Sequence, residues 1–172
     1  MESKAKLLGH PVHPMLIVFP LGLLATAVVF DGIAIARDST TLFLASYWMI
    51  GAGVIMGALA AVFGLIDWLA IPAGTRAKSI GLWHGLGNGL VTMLYALSWI
   101  LRRPTPENPS GPALTLSFLA LLIALITAWL GGELVDRLGV GVDDGAHLDS
   151  PSSLSGEPAN RERKDTGIRR VA

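Results

Sequence analysis

The chain has no cysteine among its 172 residues. That absence excludes disulfides, thiolate metal sites, cysteine-ligated iron–sulphur clusters and cysteine nucleophiles together. Any metal or cofactor ligand must come from histidine, carboxylate, methionine or backbone. Charge is also scarce, at 15% of residues, where a soluble domain carries about 25%. Thirteen basic and thirteen acidic residues cancel, so no basic field is available for nucleic acid. Soluble-enzyme signatures are missing too. Gly81, Gly85, Gly87 and Gly89 have no preceding strand and no following lysine, so they do not make a phosphate loop. The cluster of serines near the C-terminus has no neighbouring base, and the sequence assigns no catalytic residue.

What is abundant is apolar surface, with 52% hydrophobic residues and a mean hydropathy of +0.56. Four long apolar runs stand out, at 15–36, 47–71, 82–101 and 113–135. Each reaches about 20 residues, enough to cross a hydrocarbon core of about 30 Å as a helix. None alternates like a strand, and backbone in lipid must satisfy itself internally. The connections are short and carry breakers: Arg37-Asp38-Ser39-Thr40, Pro72-Ala73-Gly74-Thr75-Arg76 and Arg102 to Pro109. Such connections fold successive helices back on one another. The expected fold is all-α: an integral membrane, four-helix, up-down-up-down bundle over residues 1–142. Residues 143–172 are rich in Ser, Asp, Gly and Pro and read as a disordered polar tail.

Lys4, Lys6 and Ala34-Ile35-Ala36 give the first run some likeness to a cleaved signal peptide. Its length, Asp31 and its prolines favour a retained helix. Basic residues in the flanks set orientation. Lys4, Lys6, Arg76, Lys78, Arg137 and the basic tail fall on one side; Arg37, Arg102 and Arg103 fall on the other. Both termini are therefore expected in the cytoplasm, with the protein in the inner membrane. Trp48 and Trp99 then mark the outer interface, Trp68 and Trp83 the inner one. Gly53, Gly57, Ala60 and Gly64 form a small-residue face for close helix packing. No internal repeat is visible beyond two helical hairpins of similar size.

An ionisable group in a spanning segment is costly and marks a candidate site. His13, Asp31, Asp67, His84 and Glu133 are such groups, with His10 just outside. In an up-down-up-down bundle, the start of helix one, the end of helix two, the start of helix three and the end of helix four share one membrane face. His10, His13, Asp67, His84 and Glu133 thus converge at one depth, and Asp31 alone lies opposite. His84, Asn88 and Tyr95 share one helical stripe, expected to face the interior. Glu133 has Arg137 four residues on, a simple ion-pair partner. Prolines 11 and 14 open the first helix and hold His10 and His13 in a fixed relation, on one side of a polyproline-like stretch or as neighbours in the first turn. His147, near Asp143 and Asp144, reads as solvated.

These residues also carry a resemblance. Gly9-His10-Pro11-Val12-His13-Pro14, Phe19-Pro20, Asp31, Gly64-Leu65-Ile66-Asp67, Trp83-His84 and Gly131-Gly132-Glu133-Leu134-Val135 through Gly139-Val140-Gly141-Val142 together resemble a bacterial membrane family called domain of unknown function twenty-two thirty-one. The ordered set spans nearly all of Gly9 to Val142. The resemblance implies a four-helix membrane protein without an assigned activity. Relatives joined to a Rieske iron–sulphur domain imply an electron-transfer partner of that kind. Many members carry Tyr followed by a basic pair where this chain reads Asp136-Arg137-Leu138.

Three functions compete. In the first, His84 with His10 or His13 holds a b-type haem between helices, while Asp67 or Asn88 orients a ligand through its second nitrogen. In the second, His10, His13, His84 and Asp67 bind Zn, Fe, Cu or Mn. In both, Asn88, Glu133 and Asp31 are supporting groups. In the third, the chain is a structural or partner-binding subunit, its histidines are interfacial, and Asp67 pairs with Asn88 or a loop base. A transporter would need a homo-oligomer, since four helices make a thin wall for a pathway. The expectation is a membrane protein holding a His-ligated cofactor or metal for electron transfer.

Overall fold

The computed structural model describes residues 1–161. Residues 162–172, the last part of the expected tail, lie outside the described residues. Four long helices account for most of the chain: α1 Val12–Arg37, α2 Thr40–Ala70, α3 Arg76–Arg102 and α4 Gly111–Gly132. A π turn over Glu133–Arg137 extends α4. The helix stops follow local chemistry. Asp38 takes a left-handed conformation after α1. The Ser39 hydroxyl accepts from the Leu42 amide at the start of α2, and Thr75 does the same for Lys78 at the start of α3; both are side-chain N-caps. Pro112 sits in the first turn of α4, where its missing N–H has no cost.

Three segments are long and apolar enough to cross a membrane: Val12–Arg37, Thr40–Ala70 and Gly111–Arg137. Helix α3 is 27 residues long but more polar, because His84, Asn88, Thr92, Ser98 and Arg102 lie along it. The outward faces carry Leu21, Val29, Ile55, Val62, Leu122 and Trp129. That much exposed apolar surface suits lipid, not water. The centre packs Leu24, Ala27, Val28, Ile50, Val91, Tyr95 and Ala120.

Small residues set the helix spacing. A Cβ on Gly53 would lie 2.6 Å from Leu24, and one on Gly51 2.8 Å from Trp99. The contacts run antiparallel between neighbours. Along α1 and α2, His13 meets Gly64, Leu24 meets Gly53, and Asp31 lies with Ser46 around one guanidinium. Along α3 and α4, His84 meets Gly131 and Ser98 meets Ala113.

An antiparallel hairpin precedes the bundle, β1 Lys6–Leu7 and β2 His10–Pro11. Leu8 and Gly9 turn it with φ of 51° and 82°, the left-handed pair that a two-residue hairpin needs. The His-Pro stretch is therefore neither wholly polyproline-like nor wholly helical. His10 is in the strand, Pro11 caps the helix, and His13 lies in the first turn of α1.

The segment after Val142 makes turns and a short 3-10 turn at Ser153–Ser155. It returns against the hairpin, where Lys6 pairs with Asp143 and the Ser153 hydroxyl lies 3.2 Å from His10 Nε2. The N-terminal ammonium donates to Gly139 O at 3.0 Å, and the Gly141 amide donates to Met1 O at 2.9 Å. Gly141 reaches this pairing at a φ of +84°, open to glycine at little cost.

Candidate histidine site

The charged groups fall at two ends of the bundle, and the two ends are built differently. At one end Arg102 and Asp31 are both 0% exposed. Sequence placed Arg102 in an exposed flank; the structure corrects that. Its guanidinium makes a bidentate pair with Asp31, Nη1 to Oδ1 at 2.8 Å and Nη2 to Oδ2 at 2.7 Å. The remaining donors reach Ser98, Ser46 and Ser117 at 3.2, 3.3 and 3.1 Å. An arginine has five N–H donors, and all five are used. Every helix contributes: Asp31 from α1, Ser46 from α2, Ser98 and Arg102 from α3, Ser117 from α4. The network is closed and saturated. Sequence reading missed Arg102 because it abuts Arg103 at the end of a run. The three serines gave no signal in a hydropathy profile.

At the other end His13 and His84 each bridge to the following helix. His13 Nδ1 lies 2.8 Å from Ala60 O, and His84 Nδ1 lies 2.9 Å from Thr127 O. A carbonyl oxygen only accepts, so each Nδ1 is the N–H donor. In a neutral ring this leaves Nε2 with its lone pair. Each ring also rests on a glycine. A Cβ on Gly64 would fall 2.9 Å from the His13 ring, and one on Gly131 would fall 3.0 Å from the His84 ring. Asn88 braces His84: its amide nitrogen donates to His84 O at 2.9 Å, and its oxygen lies 3.1 Å from the Thr127 hydroxyl. Both rings are half-buried.

The other expected residues have separate partners. His10 is exposed and faces Ser153, so it does not share surroundings with His13. Asp67 holds the N-terminal segment. It accepts from the Ser3 hydroxyl at 2.8 Å, from the Lys4 amide at 2.7 Å and from the Ala5 amide at 3.4 Å. The alternative pairing of Asp67 with Asn88 or a loop base is thereby replaced, since no hairpin was foreseen in the sequence. Glu133 pairs with Arg76 at 2.7 Å, not with Arg137. The π turn that follows α4 alters the spacing on which an i, i+4 pair depends. Among the described residues, no three His, Asp or Glu side chains gather in a metal-ligating cluster.

Trp68 and Lys78 close the turn between α2 and α3 at the histidine end. Trp68 Nε1 donates to Lys78 O at 3.1 Å, Lys78 Nζ donates to Trp68 O at 2.7 Å, and the ammonium lies 4.0 Å from the ring centroid. At the opposite end Trp99 stacks on Tyr47 and receives Arg103 over its face.

The sequence model of a family described as "predicted membrane protein (DUF2231)" matches residues 9–144. No curated protein and no solved structure matches.

Proposed function

The chain belongs to the DUF2231 family of predicted membrane proteins, and on that premise we propose that it holds a His-ligated cofactor or metal within the bilayer for electron transfer. One observation carries this reading: His13 and His84 each spend Nδ1 on a backbone carbonyl. Metal-ligating histidines commonly fix their second nitrogen this way, which orients the ring and sets the tautomer. The donor set suits a b-type haem or a redox-active transition metal such as Fe, Cu or Mn, either of which would supply a one-electron couple. His13 and His84 are the ligands. Asn88 positions His84, and Asp67 holds the hairpin over that end. A soluble partner of Rieske type fits such a centre as electron donor or acceptor.

The proposed topology is four spans, up-down-up-down, in the inner membrane with both termini cytoplasmic. With Arg102 buried, the flank count becomes more lopsided. Lys4, Lys6, Arg76, Lys78 and Arg137 stand on the histidine side against Arg37 and Arg103 on the other. Residues 143–161 form a polar appendage outside the membrane. The absence of native cysteine allows a clean check. A membrane-impermeant maleimide added to intact spheroplasts labels Glu107→Cys and leaves Lys4→Cys unlabelled; the reverse pattern inverts the topology.

The functional test is an absorption spectrum with elemental analysis of untagged, detergent-purified protein. About one equivalent of haem or transition metal per chain is expected, lost in His84→Ala. Colourless, metal-free protein that takes up neither ends the proposal. A structural subunit is the competing reading, favoured by the same imidazole–carbonyl bonds acting as cross-links between helices. It expects His13→Ala and His84→Ala to lower stability alone.

A further inference from the structure

Sequence shows no repeat, yet the buried positions repeat. In α1 they include Leu24, Ala27 and Asp31; in α3 they include Tyr95, Ser98 and Arg102. The two sets have the same spacing, 71 positions apart. In α2 the set Ser46, Ile50, Gly53 and Ala60 is buried, and in α4 the set Ala113, Ser117, Ala120 and Thr127. These again share one spacing, 67 positions apart. The histidines obey both shifts. His13 corresponds to His84, its carbonyl partner Ala60 to Thr127, and its glycine seat Gly64 to Gly131. The hairpins α1–α2 and α3–α4 are two copies of one design.

The copies surround an approximate two-fold axis. Equivalent residues can touch only where the axis passes between them. Asp31 and Arg102 are equivalent and in contact. Leu24 and Tyr95 are equivalent too, and the Tyr95 hydroxyl reaches Leu24 O at 3.4 Å. His13 precedes Asp31 by 18 positions, as His84 precedes Arg102. Eighteen residues make about five whole turns, roughly 27 Å. Both histidines therefore lie on the axis-facing side of their helices, at one level.

We infer that His13 and His84 are the two equivalent halves of one site, and that its ligand is an iron porphyrin taking one imidazole on each face. This rests on the reading that the histidines bind a ligand, and it chooses among ligands. Non-haem iron and catalytic zinc sites draw three or more protein ligands. Here the neighbouring candidates are committed elsewhere: Asp67 to Ser3 and two amides, Glu133 to Arg76, His10 to Ser153. A porphyrin supplies its own four nitrogens and asks the protein for two axial donors. Two neutral imidazoles on a two-fold axis meet that demand.

The test is titration of ferric haem into untagged full-length protein in detergent, followed by optical and electron paramagnetic resonance spectra. One haem per chain with a six-coordinate, low-spin signature is expected. His13→Gly and His84→Gly each lose that signature, and added imidazole restores it, which separates lost ligation from misfolding. His10→Ala leaves it unchanged. A low-spin spectrum that survives in either Gly variant without imidazole overturns the pairing. A variant that imidazole fails to rescue, although its circular dichroism matches the parent, overturns it as well. Stoichiometric uptake of a transition metal with no haem overturns the porphyrin while leaving a histidine site standing. Uptake of neither ends both.

Discussion

The two ends of the bundle use charged and polar groups in opposite ways. At the Arg102 end every guanidinium donor has an acceptor and every partner is buried. At the histidine end each Nδ1 is committed to a carbonyl, while His84 Nε2 meets only the Asn88 amide nitrogen, at a long 3.4 Å. Both ends are polar and sit in apolar helices, so both look functional by cost alone. The difference in saturation separates them. A closed network fixes helix register; donors left over at fixed positions are what a ligand uses.

The largest effect that can break this comparison falls on the saturated end. Arg102→Met strands a buried carboxylate, and Asp31→Leu strands a buried guanidinium. Each should cost about 3–5 kcal/mol, read as a fall in the thermal midpoint of detergent-solubilised protein. Because Asp31 and Arg102 occupy equivalent positions, the exchange Asp31→Arg with Arg102→Asp should recover part of that loss. An exchanged protein no better than the worse single variant would remove the two-fold relation from the account.

Next in size are the glycine seats. Gly131→Ala and Gly64→Ala each place a methyl against an imidazole. Overpacking of this kind costs about 1–3 kcal/mol, and ligand affinity should fall along with stability. Gly85→Ala, with nothing within 4 Å of its would-be Cβ, is the matched control. It should leave both unchanged.

Asp67→Asn should matter less. It weakens the acceptors for Ser3, Lys4 and Ala5, a loss of about 1–2 kcal/mol at most. Faster amide exchange at Lys4 and Ala5, with the spectrum of any bound group unaltered, is the expected outcome. A changed spectrum would make Asp67 part of the site.

The smallest effect concerns the surface pairs over the cap. Lys6 holds the Glu2 carboxyl below its ordinary value of 4.5 through a hydrogen bond. A lowered carboxylate adds stability above its ordinary value and loses it as pH falls through the folded value. Lys6 is itself raised above 10.5, first by Asp143. Its contribution is present at neutral pH and disappears as pH rises past that value. Cap mobility, followed by exchange at Asp144, should thus increase below about pH 4, with no change in the thermal midpoint of the bundle at neutral pH. High salt should mimic acid, because exposed pairs are screened.

Much of this was legible in the sequence. The four runs mark the four helices to within a few residues, except that α2 begins at Thr40 and α3 at Arg76, earlier than the runs at 47 and 82. In α2, Leu42, Phe43 and Leu44 already face other helices or lipid, and the N-cap at Ser39 sets the boundary. Parity brought His13, Asp67 and His84 to one end. It could not say which carboxylates were already used, because Ser3 and Arg76 are brought in by a hairpin and a loop that periodicity does not reveal. Arg102 was hidden by its neighbour Arg103. The two-fold relation was hidden because it lies in burial and spacing. Between residues 13–31 and 84–102 only His13/His84, Leu23/Leu94 and Ala25/Ala96 share identity. Lipid-facing positions need only be apolar, so side chains there diverge while helix spacing persists.

The central claim is that two equivalent imidazoles keep the proton on Nδ1 and turn an unprotonated Nε2 to one axis, with His84 Nε2 meeting the Asn88 amide nitrogen at a long 3.4 Å. Nitrogen-15 NMR of histidine-labelled, ligand-free protein carrying His10→Ala and His147→Ala reads those two rings alone. Both should show a protonated Nδ1 and an unprotonated Nε2 at pH 7.5, with similar shifts. A ring protonated at Nε2, or a fully protonated imidazolium at that pH, would contradict it.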